Sequence, residues 1–113
     1  MQLERKENLN KDKLRVLLVC GSGASSGFMA SAIRKAASKR GLDISITARS
    51  EAEIENYIED IDCLMVGPHL AYILDNVKNI VGDRDIQVTL IKAQDYAVFN
   101  GENALDQFLS LYQ

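Results

Sequence analysis

Short, nearly continuous apolar runs, separated by segments with helical spacing, constrain this chain more than any other feature. Leu14-Arg15-Val16-Leu17-Leu18-Val19-Cys20 is interrupted only by Arg15, and Cys63-Leu64-Met65-Val66 is not interrupted at all. Runs of this kind read as strands covered on both faces, as in parallel sheets. Asp43 to Arg49 alternates instead, with Ile44, Ile46 and Ala48 on one side, which predicts a more exposed edge strand. Ile86 to Ile91 predicts a fourth strand. Between them lie helical patterns. Phe28, Met29, Ala32, Ile33, Ala36 and Ala37 precede a stop at Gly41, and Ser50 with Glu53 reads as a capping box before Ile54, Tyr57 and Ile58. Leu70, Ile73, Leu74, Val77, Ile80 and Val81 form a stripe ended by Gly82, and Ala104, Leu105, Phe108, Leu109 and Tyr112 mark a last helix after a loop with Asp95, Tyr96 and Asn100-Gly101.

The order is therefore βαβαβαβα. Strict alternation with short connections predicts an α/β fold in which a four-stranded parallel sheet carries helices on both faces. The edge-like second run and the buried first and third runs suggest strand order 2-1-3-4, a flavodoxin-like arrangement. Ligands of such sheets bind at the carboxyl ends of the strands, where strand order reverses. That point falls between the ends of the first and third strands, and Cys20 ends the first.

With 113 residues, 47% of them hydrophobic, the chain suits one domain. Residues 1–12 are charged and polar and read as a flexible N-terminal tail, which leaves 13–113 as the domain. A net charge of −3, mixed in sign along the chain, argues against nucleic acid as a partner. Two cysteines and one histidine fit no zinc spacing, so neither a metal nor another cofactor is expected. The N-terminus has no signal-peptide h-region, and no apolar run approaches the ~20 residues that span a bilayer. The expectation is a cytoplasmic protein, not itself inserted in a membrane, with both thiols reduced.

The informative segment is Cys20-Gly21-Ser22-Gly23-Ala24-Ser25-Ser26-Gly27, read as a small-residue loop that follows a buried strand and opens a helix. Small side chains let backbone amides wrap closely around an anion, and the helix adds its positive end. Such a cradle fits a dianionic phosphate, with Ser22, Ser25 and Ser26 as further donors. The same field lowers the pKa of a thiol at the loop's start and activates Cys20 as a nucleophile. The bland alternative is a buried cysteine before an ordinary turn. Other phosphate loops fit less well. No lysine stands where a nucleotide-binding P-loop needs one, and the Gly-x-Gly-x-x-Gly pattern misses its third glycine by one place, at Gly27. Low-molecular-weight phosphatases use a similar strand–loop–helix with Cys-x5-Arg, but the position of that arginine is Ser26 here. Without a guanidinium to clamp the transferring group, a thiophosphate should be held rather than hydrolysed.

Over about residues 14–112 the chain resembles the IIB components of the bacterial sugar phosphotransferase system, lactose/cellobiose class. The family loop reads like Cys-Ser-Ala-Gly-Met-Ser-Thr-Ser. Cys20, Gly23 and Ser25 match it in register, and Ser26 replaces a threonine with another hydroxyl. Gly67-Pro68-His69 matches a family Gly-Pro-Gln turn, and Asp95-Tyr96 with Asn100-Gly101-Glu102 matches the segment before the last helix. The resemblance implies a phosphocarrier. A phosphohistidine on a partner IIA protein donates to Cys20, and the phosphocysteine donates to a sugar, such as cellobiose or lactose, held by the membrane transporter IIC. It implies a cytoplasmic chain that meets the membrane only through IIC. The sequence leaves the oligomeric state open, with a monomer in isolation as the default. Phe28, Pro68, His69 and Tyr96 are the expected rim and partner contacts. His69 is favoured as a rim contact over a second phosphorylation site. Cys63 is given no chemical role, and Asp95 a capping or turn role, because a carboxylate near a dianion repels. The rival readings are a phosphatase or arsenate reductase on a related loop, and a non-catalytic binding module.

Overall fold

The computed structural model describes residues 14–19 and 24–112, with the side chains of 24–26 and 112 left aside. The expected tail, residues 1–12, lies outside the described residues. The elements in chain order are β1 (Leu14–Val19), α1 (Ala24–Lys39), β2 (Ile44–Arg49), α2 (Ile54–Tyr57), β3 (Cys63–Val66), α3 (Leu74–Val81), β4 (Gln87–Leu90), α4 (Ala93–Ala97) and α5 (Gly101–Leu109). Tighter 3-10 turns cover Glu51–Glu53, Pro68–Ile73 and Ser110–Tyr112.

The four strands form one parallel sheet in the order β2-β1-β3-β4, as the edge-like second run and the buried first and third runs suggest. Leu14 to Val19 pairs residue for residue with Ile44 to Arg49, and Val16 to Val19 pairs with Cys63 to Val66. β3 in turn carries β4, from Cys63↔Gln87 to Val66↔Leu90. Successive strand residues point to opposite faces. Val16 to Val19 and Cys63 to Val66 are all buried, so helices cover both faces of the two central strands. β2, at the edge, buries only Ile46 fully.

α1 packs along α5. Met29, Ile33, Ala36 and Ala37 line the buried side of α1, and Ala104, Leu105 and Phe108 that of α5. Gly101 lies against the α1 backbone, where a side chain would collide with Ala32. Arg40 closes the far end of this helix pair, with Nη1 on Asp106 Oδ1 and Nη2 on Glu102 Oε1, each at 2.7 Å. Gly41, at φ +70°, ends α1 as expected, and the Leu42 amide reaches back to the Ala37 carbonyl at 2.9 Å.

Four local expectations change. α1 starts at Ala24, so Ala24 to Gly27 form its first turn and are not part of a loop. Helix-spaced apolar residues begin only at Phe28, which hid the earlier start. Ser50 Oγ accepts from the Ala52 amide at 3.2 Å and caps the Glu51–Glu53 turn rather than a full capping box on α2. The stripe from Leu70 is broken, because Leu70 has non-helical backbone angles between the turn opened by Pro68 and α3. The segment with Asp95 and Tyr96 is a short helix, α4.

Candidate functional site

The reversal point of the sheet is the carboxyl rim of β1 and β3. Val19 and Val66 are register partners there, and the Gly67 amide extends the ladder by donating to the Val19 carbonyl at 2.9 Å. β1 ends at Val19 and α1 begins at Ala24. Cys20, Gly21, Ser22 and Gly23, the first half of the expected cradle, lie outside the described residues. Ala24, Ser25, Ser26 and Gly27 form the first turn of α1. The opening amides of a helix have no intrahelical acceptor and sit at the positive end of its dipole. Nothing lies within 4 Å of the position a Gly27 side chain would take.

Around this rim runs an arc of rings. His69 meets the edge of Tyr96 at 5.6 Å between centroids and 70° between planes. Tyr96 contacts Phe99 at 6.0 Å, and Phe99 contacts Phe28 at 5.8 Å. The arc thus joins the β3–α3 turn, the α4 segment and the start of α1. Its members differ in exposure. Tyr96 is buried and fixes the arc to the core, while Phe28 is 67% exposed. Met29, next to Phe28, is fully buried and belongs to the core. Tyr72, in the turn after Pro68, is also exposed.

Pro68 opens the turn after Gly67, whose carbonyl accepts from the Leu70 amide at 2.9 Å. That geometry projects the exposed His69 outward at the rim. Sequence reasoning missed Phe99 and Val98, both exposed beside Tyr96. Phe99 has φ +52°, an unusual value for a bulky residue. It is imposed where the chain turns from α4 into α5, since the Asn100 amide donates back to the Asp95 carbonyl at 2.8 Å. The Asn100-Gly101 pair was the available signal for a tight turn there.

Asp95 is buried, and its Oδ1 accepts from Asn103 Nδ2 at 3.0 Å. Asn100 Oδ1 accepts from the Asn103 amide at 3.0 Å and caps α5. Both side chains are spent on holding the α4–α5 junction, in line with the turn role expected of Asp95. Cys63 stands at the amino end of β3, remote from the rim. Burial pushes its thiol up, with a smaller contribution from the Asp62 charge, which suits an inert core residue. Among the described residues, no cluster of three or more His, Cys, Asp or Glu side chains could hold a metal ion. No helix among them is long and apolar enough to cross a membrane.

Residues 15–107 match the family model described as PTS system, Lactose/Cellobiose specific IIB subunit. The chain belongs to that family. The galactose-specific EIIB component of Lactococcus lactis subsp. cremoris (strain MG1363) is 30% identical over 95 residues, covering 80% of this chain and 88% of that protein. The lactose-specific EIICB component of Lacticaseibacillus casei is 28% identical over 98 residues, covering 85% of this chain and 17% of that protein. The lactose-specific IIB domain of the phosphotransferase system from Streptococcus pneumoniae superposes with a TM-score of 0.81, over 90% of this chain and 100% of that one. At 19% identity that likeness speaks for the fold alone. This IIB component therefore has the flavodoxin-like sheet of its class.

Proposed function

We propose that this IIB component carries a phosphoryl group on Cys20. A thiolate sulfur attacks the phosphorus of a phosphohistidine on a IIA partner. The S–P bond forms as the N–P bond breaks, and the leaving ring, already protonated on its other nitrogen, takes that electron pair and departs as neutral imidazole. The sugar hydroxyl later attacks the same phosphorus, its proton going to solvent, and the thiolate returns.

The observation that carries this reading is the position of Cys20. In sequence it directly follows Val19, where β1 ends at the carboxyl rim of the sheet, and it precedes by four residues the start of α1 at Ala24. Gly21, Ser22, Gly23, Ala24, Ser25, Ser26 and Gly27 supply the amides that hold the dianion. Ser26 stands where phosphatases of related design place arginine, so hydrolysis lacks its clamp. Phe28, Pro68, His69 and Tyr96 meet the two partners in turn, with His69 a contact and not a second phosphorylation site. A rim open to solvent suits large partners better than a deep pocket does.

The acceptor is a sugar of the lactose or cellobiose kind, bound in a IIC transporter. In the EIICB relative the two components are named as one protein, which supports IIC as the neighbour. The domain acts from the cytoplasmic side as a monomer, with residues 1–12 as its tail.

Incubation with phosphorylated IIA, followed by intact mass measurement, tests the reading. One phosphoryl adduct is expected on the wild type and none on Cys20→Ser. An adduct that survives in Cys20→Ser, or sustained hydrolysis of an aryl phosphate, sinks it.

A further inference from the structure

β2 and β4 are the two edges of the sheet. An edge strand offers a row of backbone groups with which another chain can pair. Both runs are suited to such pairing. Ile44 to Ala48 and Ile86 to Ile91 hold neither charge nor proline and are rich in β-branched residues. Both strands pair inward in continuous register, without a bulge. The usual protections of an edge, a lysine, a proline or a bulge, are thus missing inside these runs.

The register shows which groups face outward. The Leu14 amide donates to the Asp43 carbonyl at 3.1 Å, so alternate residues from Asp43 bond toward β1 and the carbonyls of Ile46 and Ala48 point away. The Gln87 and Ile91 amides donate to the Asp62 and Val66 carbonyls at 3.1 and 2.9 Å, so the Leu90 carbonyl points away on the other edge. A side chain closes each of these three acceptors. Arg34 Nη2, from α1, donates to the Ile46 carbonyl at 2.8 Å, and Arg49 Nη1 donates to the Ala48 carbonyl at 2.8 Å. The Tyr57 hydroxyl accepts from Arg49 Nε at 2.7 Å and holds that guanidinium in place. Gln107 Nε2, from α5, donates to the Leu90 carbonyl and, at 2.8 Å, to Thr89 Oγ1. Arg15, Arg40 and Arg84 are paired with carboxylates, whereas among the described residues Arg34 and Arg49 have none within ion-pair distance.

We propose that Arg34, Arg49 and Gln107 close the sheet edges against strand pairing with a second copy of this chain, β2 being the surface at which that copy would add. The proposal rests on the reading of the domain as a monomer and supplies its cause. Two copies of β2 that pair about a two-fold axis run antiparallel, and each meets the same pair of guanidinium groups on the other. The incoming strand must displace both donors from their carbonyls and bring four uncompensated positive charges onto one seam, where like charges oppose pairing. On β4 the Gln107 amide blocks the one outward carbonyl without adding charge. Strand addition is thereby barred along both sides of the sheet, and the carboxyl rim is left as the face for partners.

Sedimentation velocity over a concentration series, with residue-resolved amide exchange, tests it. The wild type sediments as a monomer. Arg34→Met and Arg49→Met, which keep the aliphatic stem and lose the donors and the charge, each tighten self-association about tenfold, the scale of one hydrogen bond, and together they tighten it further. Arg34→Lys with Arg49→Lys, which keeps both charges, stays closer to the wild type. In the associating variants the outward amides of Ile46 and Ala48 exchange more slowly as concentration rises, while the exposed amides of α3 do not change. The single variants decide the matter where the double variant does not fold. Methionine variants that stay monomeric overturn the proposal, and so does association that leaves the β2 amides unprotected. A wild type that is already a dimer sinks the monomer reading instead, and exchange at Ile46 and Ala48 then still decides whether β2 is closed.

Discussion

A β-carbon placed on Gly101 would fall 2.2 Å from the carbonyl oxygen of Ala32. The first turn of α5 therefore rests directly on the backbone of α1, and neither side can yield as a flexible side chain would. Gly101→Ala should destabilise the domain by about 3 kcal/mol, at the upper end of the usual cost of overpacking, because the collision is with backbone. Urea unfolding measures this. Gly27→Ala is the control, since its new methyl group meets open space inside a helix. There the change should stabilise by up to about 1 kcal/mol, the helix penalty of glycine.

Phe28 and Met29 are adjacent in sequence and opposite in fate. Met29→Ala should cost about 2–5 kcal/mol, as for other buried large-to-small changes. Phe28→Ala should leave stability within about 0.5 kcal/mol, as at other surface positions. Its expected effect is a higher KM for phospho-IIA with an unchanged maximal rate. An unchanged KM would remove Phe28 from the docking face.

Cys63 makes stability fall in alkali. Burial and Asp62 raise its folded pKa above that of the unfolded thiol. The unfolded chain therefore loses this proton at about pH 8.5 while the folded chain keeps it. Stability is full below that pH and declines above it by about 1.4 kcal/mol per unit. Cys63→Ala should show a shallower decline between pH 9 and 10.5 in denaturant titrations. Alkylation at neutral pH should leave Cys63 unmodified until the domain is unfolded.

Glu59 works in the opposite direction. Its hydrogen bonds from Arg84, and then the Arg84 charge, lower its pKa. The contribution is present above the unfolded carboxylate pKa and is lost as pH falls through the folded one. Because the pair is exposed, the effect is small and screened by salt. Glu59→Gln should lower the melting temperature slightly at pH 7 in low salt. The difference should vanish below pH 3, and a difference that persists there would point to packing instead of charge.

Much of the architecture is written in local pattern. The unbroken run Cys63 to Val66 requires cover on both faces, the alternation around Ile46 requires one open face, and Gly41 at positive φ ends α1 where a side chain would be strained. These are properties of a residue and its near neighbours, and they persist into the fold. Helix starts were less legible. Ala24 to Gly27 carry no apolar spacing, and α4 is too short for periodicity to register, so local pattern does not distinguish either from loop.

The nucleophile candidate and the class of its loop came from the sequence, because a cysteine and its small-residue neighbours are contiguous there. Arg49 beside Val19, Phe99 beside Phe28 and Gly101 on Ala32 came only from the tertiary structure. Each pair is far apart in the chain and meets through strand register or helix packing. Burial of the whole core sets that register, and no local residue pattern encodes it.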